Sequence, residues 1–128
     1  MIFLDTCIII DLLRNDQRAK DWLLTLNNPL IVISGQVQVE LIQGCNNKIE
    51  FEKTLKFISK TKIQWATKKV YKEATETFMK YKLSHNISFV DAVIAHQAKS
   101  LILPIITRNV KDFKLVDGID IIVPYYNN

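Results

Sequence analysis

The chain opens with "MIFLDTCIIIDLL" (residues 1–13), an apolar run that contains two carboxylates, Asp5 and Asp11. Its first residues are typical of a short buried strand. A carboxylate buried without a partner is costly, because an ionised group loses its hydration in an apolar interior. The stretch therefore predicts a strand whose end carries either a functional acid or a helix cap.

Three later segments share this continuous apolar character: "PLIVIS" (29–34), "LPIIT" (103–107) and "IDIIVP" (119–124). Strands covered on both faces are continuously hydrophobic, and parallel neighbours need crossover connections. Helical periodicity predicts helices at roughly 10–26, 35–45, 48–60, 67–83 and 88–100. This order of elements predicts an α/β fold, with a central, mostly parallel β-sheet flanked by α-helices in an α/β/α sandwich.

Composition limits the class of protein. A chain of 128 residues that is 48% hydrophobic fits a single domain spanning residues 1–128. With no secretory signal and no membrane-spanning window, we expect a cytoplasmic protein without a membrane partner. Cys7 and Cys45 lack metal-site spacing, so we expect reduced thiols that fill small apolar spaces.

Charge is unevenly distributed along the chain. Residues 48–82 hold ten lysines and four glutamates, a balance of +6, whereas the remaining residues sum to −2. Such a segment can neutralise the phosphates of a nucleic acid. It can equally be a solvated helical face that keeps the protein soluble.

Four carboxylates lie in or beside largely apolar segments: Asp5, Glu40, Asp91 and Asp112. Ligand sites in parallel sheets lie beyond the carboxyl ends of the strands, where Asp5 and the segment after Thr107 are expected. Glu40 and Asp91 fall on helical stripes predicted to face inward. Each acid also has an ordinary explanation: Asp5 as a helix cap, Glu40 reaching water, Asp91 in a capping box begun by Ser88, and Asp112 in a turn.

Taken together, the acids favour a divalent cation. Only Arg108 and Lys111 are close enough in sequence to balance their charge. Mg²⁺ or Mn²⁺ takes carboxylate oxygens and water as ligands, which would turn mutual repulsion into coordination.

Four stretches in this order resemble the PIN-domain ribonucleases, specifically the VapC-type toxins of type II toxin–antitoxin pairs: "LDTCIIIDLL", "ISGQVQVELIQG", "ISFVDAVIAHQA" and "PIITRNVKDFKLVDGIDIIVP". The resemblance covers nearly the whole chain and implies a PIN-like fold. It implies metal-binding catalytic acids at Asp5, Glu40, Asp91 and Asp112, with supporting polar groups at Thr6, Ser34, Thr107 and Asn109. Asp11 matches a frequent aspartate of the family that we interpret as structural.

Three positions depart from the family pattern. Cys7 replaces a small polar residue and Val37 replaces a threonine, which puts hydrogen bonding around the acids in doubt. Asn109 stands where some relatives have an acid, so the site has four carboxylates in place of five, which bears on binding of a second metal ion.

The resemblance implies a Mg²⁺-dependent endoribonuclease, with Mn²⁺ as a possible substitute, that hydrolyses RNA phosphodiesters by metal-activated water. The implied substrates are tRNA or ribosomal RNA, and the implied protein partners are a VapB-like antitoxin and a second copy in a homodimer. Two alternatives stay open: a non-catalytic RNA-binding or regulatory module, which predicts a decayed acid set, and a DNA-directed nuclease of the same fold.

Overall fold

The computed structural model describes residues 1–126, which form five strands and seven helices. The strands are β1 (Ile2–Leu4), β2 (Ile31–Ser34), β3 (Lys62–Gln64), β4 (Ile105–Ile106) and β5 (Ile121–Ile122). The helices are α1 (Thr6–Leu13), α2 (Gln17–Thr25), α3 (Gly35–Gln43), α4 (Lys48–Ser59), α5 (Lys68–His85), α6 (Phe89–Leu101) and α7 (Val110–Phe113).

The strands form one sheet in the order β3-β2-β1-β4-β5, and every pairing in it is parallel. From the central β1 the chain moves through β2 to β3, and then returns to β4 and β5 on the other side. Because parallel crossovers are right-handed, these two directions place α1–α4 and α5–α6 on opposite faces of the sheet. The predicted α/β fold with a parallel sheet is confirmed.

The main core lies around β1. Phe3 and Leu4 are fully buried, as expected for a central strand covered on both faces. They pack with apolar residues of β2, β4, α1, α3 and α6 in a single cluster. The apolar runs of β1, β2 and β4 therefore form the centre of the sheet, where both faces are covered.

The predicted helix 10–26 was wrong in its start and in its continuity. Asp5 accepts a hydrogen bond from the Thr6 backbone N–H, so α1 begins at Thr6. Asn15 then adopts a left-handed conformation with φ 58°, and Asp16 caps α2 through the backbone N–H groups of Arg18 and Ala19. Asparagine tolerates this conformation and aspartate is a strong N-cap, so the chain breaks there into two helices.

Strand β3 and helix α7 were not predicted from the sequence. Strand β3 lies at the edge of the sheet, pairs with β2 alone among the strands of residues 1–126, and exposes Lys62. An edge strand within a lysine-rich segment lacks the apolar run that marks the other strands, and charge at an edge discourages pairing with other chains. Helix α7 is a single turn of four residues, too short to show periodicity.

No helix within residues 1–126 is both long enough and apolar enough to cross a membrane.

Helices α5 and α6 pack around a second apolar cluster and around His96, which is 8% exposed. His96 Nε2 lies 2.8 Å from Thr77 Oγ1, and Nδ1 lies 3.3 Å from a Glu73 carboxylate oxygen. Burial lowers the pKa of His96 and Lys99 adds to this effect, although Glu73 opposes it. The folded protein therefore favours the neutral imidazole.

This burial predicts a loss of stability in acid. An unfolded histidine has a pKa of about 6.5, so it takes up a proton that the folded protein resists. His96→Gln keeps a polar contact to Thr77 but cannot titrate. Between about pH 7.5 and pH 5.5 the melting temperature of the wild type should fall relative to that of the variant. Melting curves that stay parallel over this range would contradict the prediction.

Candidate active site

Polar side chains gather where β1 and β4 end. Asp5 follows β1 directly, and its backbone N–H donates to the Ile106 carbonyl at 3.0 Å. Thr107 follows β4 in the same way and donates to the Ile122 carbonyl at 3.0 Å. Because the strands are parallel and in register, both side chains lie at one edge of the sheet, as the sequence predicted.

The Asp5 carboxylate is 3% exposed and accepts three hydrogen bonds. The donors are the Thr6 backbone N–H at 2.7 Å, the Thr107 hydroxyl at 2.6 Å and the Cys7 thiol at 3.3 Å. Burial nevertheless raises the pKa of Asp5, with a smaller contribution from the charge of Asp112, while the three donors lower it. The carboxylate is thus fixed in orientation, in surroundings that resist its charge.

The Cys7 thiol corrects the expectation of an apolar filler. Its Sγ donates to Asp5 and lies 3.7 Å from Thr107 Oγ1, so it supplies the hydrogen bond that its departure from the family pattern had put in doubt. Val37, the second departure, is fully buried in the core. Only the first of these two positions therefore bears on the carboxylates.

Asn109 joins two further acids. Its side-chain amide donates to Asp91 at 3.1 Å and to Asp112 at 3.2 Å. Asp91 lies in the first turn of α6 and Asp112 in α7, so these helices converge on the edge where Asp5 lies. The Asn109 backbone N–H donates to Thr107 Oγ1 at 2.8 Å, which links this group to Asp5 through one hydroxyl.

Mutual repulsion is strongest at Asp91. Burial raises the pKa of Asp91 to about 8, and the charges of Asp5 and Asp112 contribute. Near neutral pH the Asp91 carboxyl group therefore holds a proton unless a cation takes its place. The Ser88 hydroxyl also accepts a hydrogen bond from the Asp91 backbone N–H, so this residue belongs both to a helix cap and to the acidic group.

Glu40 lies at the rim of the acidic group. Val37 and Leu41 of α3 are buried as predicted, but Glu40 is an exposed residue, so the expectation that it faces inward was wrong. Partial burial and the charge of Asp5 still raise its pKa, which shows that the two carboxylates interact. A helix stripe at the edge of a sheet turns one residue toward the opening and its neighbours toward the core.

The two remaining supporting residues differ in environment. Thr6 Oγ1 is buried, and Thr6 lines a groove with Glu40, whose pKa its hydroxyl group lowers. Ser34 is fully buried and caps α3 by accepting from the Gln36 backbone N–H at 3.2 Å. In the described part of the chain, Ser34 contacts none of the four acids by a hydrogen bond.

Arg108 forms an ion pair with Asp11. Its guanidinium donates to both carboxylate oxygens of Asp11, at 3.0 and 3.2 Å, and the Tyr125 hydroxyl donates to Asp11 at 2.7 Å. These contacts tie α1 to the segments around β4 and β5, which supports the structural interpretation of Asp11. They also show that the nearest arginine in sequence is engaged elsewhere.

The acids suit a hydrated divalent ion better than a closed cage. No group of three or more histidine, cysteine or acidic side chains in residues 1–126 is arranged tightly enough to hold a metal ion. Mg²⁺ typically keeps several waters and takes only one or two carboxylates. The charge of Asp112 raises the pKa of both Asp5 and Asp91, and the charge of Asp5 raises that of Asp91, so the three carboxylates lie close enough to share this open mode of binding.

A groove of about 570 Å³ lies between α1, α3 and α4 and includes Glu40, at the rim of the acidic group. Its apolar wall includes Ile10, Leu13, Leu41 and Ile49. Glu40 and Thr6 lie in the same groove, so a bound chain could reach the acidic edge.

Comparisons with known proteins agree with this geometry. No curated protein sequence matches the chain significantly. A toxin–antitoxin complex from Klebsiella pneumoniae superposes with a TM-score of 0.80 and 27% identity, over 99% of this chain and 100% of that chain. VapBC2 from Rickettsia felis, bound to a DNA fragment from its promoter, superposes with a TM-score of 0.75 and 24% identity. The match covers 94% of this chain and 97% of that chain.

A third structure is VapC20 from Mycobacterium tuberculosis, described as a toxin that cleaves the sarcin–ricin loop. It superposes with a TM-score of 0.63 and 20% identity, over 80% of this chain and 85% of that chain. Together these structures confirm the resemblance to toxins of toxin–antitoxin pairs. The family model of the PIN domain matches residues 2–119, nearly the whole length of the chain. The chain belongs to the PIN domain family.

Proposed function

We propose that this chain is a metal-dependent endoribonuclease and the toxin of a toxin–antitoxin pair. The observation that carries the proposal is the convergence of Asp5, Asp91 and Asp112 at one sheet edge, with the nearest arginine directed elsewhere. Structural similarity to toxin–antitoxin complexes and to an RNA-cleaving toxin supports the substrate class. All four acids are present, which disfavours a purely RNA-binding module.

Asp5, Asp91 and Asp112 would hold Mg²⁺, or Mn²⁺ in its place, directly or through water molecules bound to the ion, with Glu40 contributing at the rim. The ion would lower the pKa of a bound water and offset the negative charge that develops on the phosphate. The Thr107 hydroxyl and the Cys7 thiol keep the Asp5 carboxylate in one orientation. The Asn109 amide holds the other two aspartates in position. Because water and not the ribose 2′-OH attacks, the products carry 5′-phosphate and 3′-hydroxyl ends.

The proposed substrates are tRNA or ribosomal RNA, and the proposed location is the cytoplasm. The proposed partners are a VapB-like antitoxin and a second copy of the chain in a homodimer. The apolar wall of the groove beside Glu40 suits a segment of the antitoxin that covers the acidic edge.

The first test concerns the metal and the substrate. Purified protein should cleave RNA with Mg²⁺ or Mn²⁺ and stop when EDTA is added, because the carboxylates alone cannot activate water. Single-stranded RNA, folded tRNA and single-stranded DNA should be assayed side by side. Undiminished cleavage in EDTA would reject the metal mechanism, and cleavage of DNA alone would favour the DNA-directed alternative.

The second prediction separates catalysis from helix capping at Asp91. The pKa of Asp91 is higher in the folded protein than in the unfolded chain. The stability that its protonated carboxyl group contributes is therefore lost as the pH rises toward about 8. Asp91→Asn keeps the shape and cannot ionise, so it avoids the cost of holding a proton at a pH where the unfolded carboxyl group releases it. The metal-free variant should therefore melt at or above the wild-type temperature near neutral pH. The same variant should lose most Mg²⁺-induced stabilisation and nearly all cleavage.

Thermal melts with and without Mg²⁺ and a cleavage assay on the same samples provide both measurements. Ser88→Ala is the matched control, because it removes the helix cap and leaves the carboxylate. It should cost about 1 kcal/mol of stability with cleavage retained. An Asp91→Asn protein that melts lower but cuts RNA normally would assign Asp91 to the helix.

The third prediction concerns the lysine-rich segment. Lys68 and Lys69 begin α5 and are exposed at the carboxyl edge of the sheet, next to the end of β3. If each neutralises one phosphate of a single strand, replacing both by alanine should reduce the slope of log Kd against log salt by about 1.4. The control is Lys56→Ala with Lys60→Ala, which removes two exposed lysines near the opposite edge. If the two double variants show equal slopes, Lys68 and Lys69 serve solubility and do not bind phosphates specifically.

A further inference from the structure

Trp65 is a large aromatic residue left exposed at the carboxyl edge of the sheet. It directly follows β3, and 61% of its surface is accessible to solvent. Tryptophan is highly buried on average, so this exposure is unusual. Trp22, the other tryptophan of the chain, packs against the main core.

The strand register places Trp65 on the same edge as the acidic group. Ser34 pairs with Gln64 across β2 and β3, and Phe3 pairs with Val32 across β1 and β2. Asp5, Ser34 and Gln64 therefore lie level with one another. Two strand spacings of about 4.8 Å separate Gln64 from Asp5 by roughly 10 Å. One short single strand could contact both Asp5 and Trp65.

The indole ring of Trp65 packs against Gly35. A Cβ atom placed on Gly35, the first residue of α3, would lie 2.3 Å from Cε3 and 2.5 Å from Cζ3 of Trp65. The six-membered ring therefore occupies the space that any other residue at position 35 would fill. Part of the ring rests on the backbone of α3, and much of the rest faces solvent.

Exposed lysines follow Trp65 closely in the first turns of α5. The same part of α5 lines a shallow hollow of about 760 Å³, formed by Ala66, Lys68, Tyr71, Lys72, Thr75 and Glu76. Lys68, Lys69 and Lys72 are exposed, and the nearest acid to Lys69 is Glu73 at 3.9 Å, in an exposed pair of little strength. Proteins that bind single strands combine basic surfaces with aromatic rings on which bases stack.

We propose that Trp65 stacks on an unpaired base of the RNA substrate while Lys68 and Lys72 bind neighbouring phosphates. This inference rests on the proposed ribonuclease function and deepens it. It makes Trp65 a positioning residue that selects unpaired RNA, because a base within a duplex has both faces covered by its neighbours. A protein contact is the other common use of an exposed tryptophan, but lysine is depleted at the centres of protein interfaces and abundant here.

The binding experiment uses the Trp22→Phe protein, in which Trp65 is the only tryptophan. A short unstructured RNA is titrated in the presence of EDTA, so that it stays intact. The RNA should quench the Trp65 fluorescence. In the same assay with a labelled RNA, Trp65→Ala should weaken binding roughly 10- to 100-fold, whereas Trp65→Phe should retain most of the affinity. Leu83→Ala, at a residue of α5 that is 98% exposed, is the control and should bind like the wild type.

Two further arms distinguish stacking from a general surface effect. Gly35→Ala displaces the ring without deleting it and should weaken binding in the same direction. An RNA with abasic positions should bind the wild type about as weakly as the intact RNA binds Trp65→Ala. The affinity of the abasic RNA should be the same for the wild type and for Trp65→Ala. In cleavage assays Trp65→Ala should raise KM and leave kcat nearly unchanged, because the stacking is made equally in the ground state and the transition state.

The outcomes separate this inference from the proposed function. If the wild type neither binds nor cuts any RNA, both fail. If the wild type cuts RNA and Trp65→Ala binds it equally well, only the role of Trp65 is overturned. A Trp65→Ala protein that changes its oligomeric state in size-exclusion chromatography, with RNA affinity intact, would assign the ring to a protein interface and also overturn the inference.

Discussion

A carboxylate buried at the end of the central strand is the constraint on which the rest of this structure depends. Asp5 caps α1, accepts a hydrogen bond from Thr107 after β4, and sets the electrostatic surroundings of Asp91 and Glu40. An apolar side chain at this position would pack without cost, but it would remove the cap and the link between β1 and β4. The acidic group is therefore part of the framework that holds the strand ends together.

The parts of the fold that were predictable are those in which local pattern and burial agree. Strands β1, β2 and β4 have continuous apolar runs because both of their faces are covered. Edge strand β5 keeps such a run although Ile122 is exposed, whereas edge strand β3 lacks it because lysine and glutamine take two of its three positions. The break at Asn15 was missed because the apolar periodicity continues across it. The partners of Asp11 are 97 and 114 residues away in the chain, a separation that no local pattern encodes.

The acidic group was predictable in membership but not in arrangement. Strand ends and helix stripes indicate which acids converge, and the family resemblance adds their order. They do not indicate that a neutral amide at Asn109 would bridge two carboxylates, or that a thiol at Cys7 would donate to a third. Both residues fill positions where the family pattern differs, so their contacts depend on side-chain geometry particular to this chain. The exposed rim position of Glu40 likewise depends on where α3 meets the sheet edge.

The strand order has a consequence for when this protein becomes complete during synthesis. Ribosomes release the N-terminal residues first, and here β1 must wait for β4, which lies about a hundred residues later in the chain. Until then Asp5 has neither Thr107 as its donor nor Asp112 as its neighbour. A site assembled from residues about a hundred positions apart cannot form until the later ones have been made, so the proposed nuclease activity would be absent from a nascent or prematurely terminated copy.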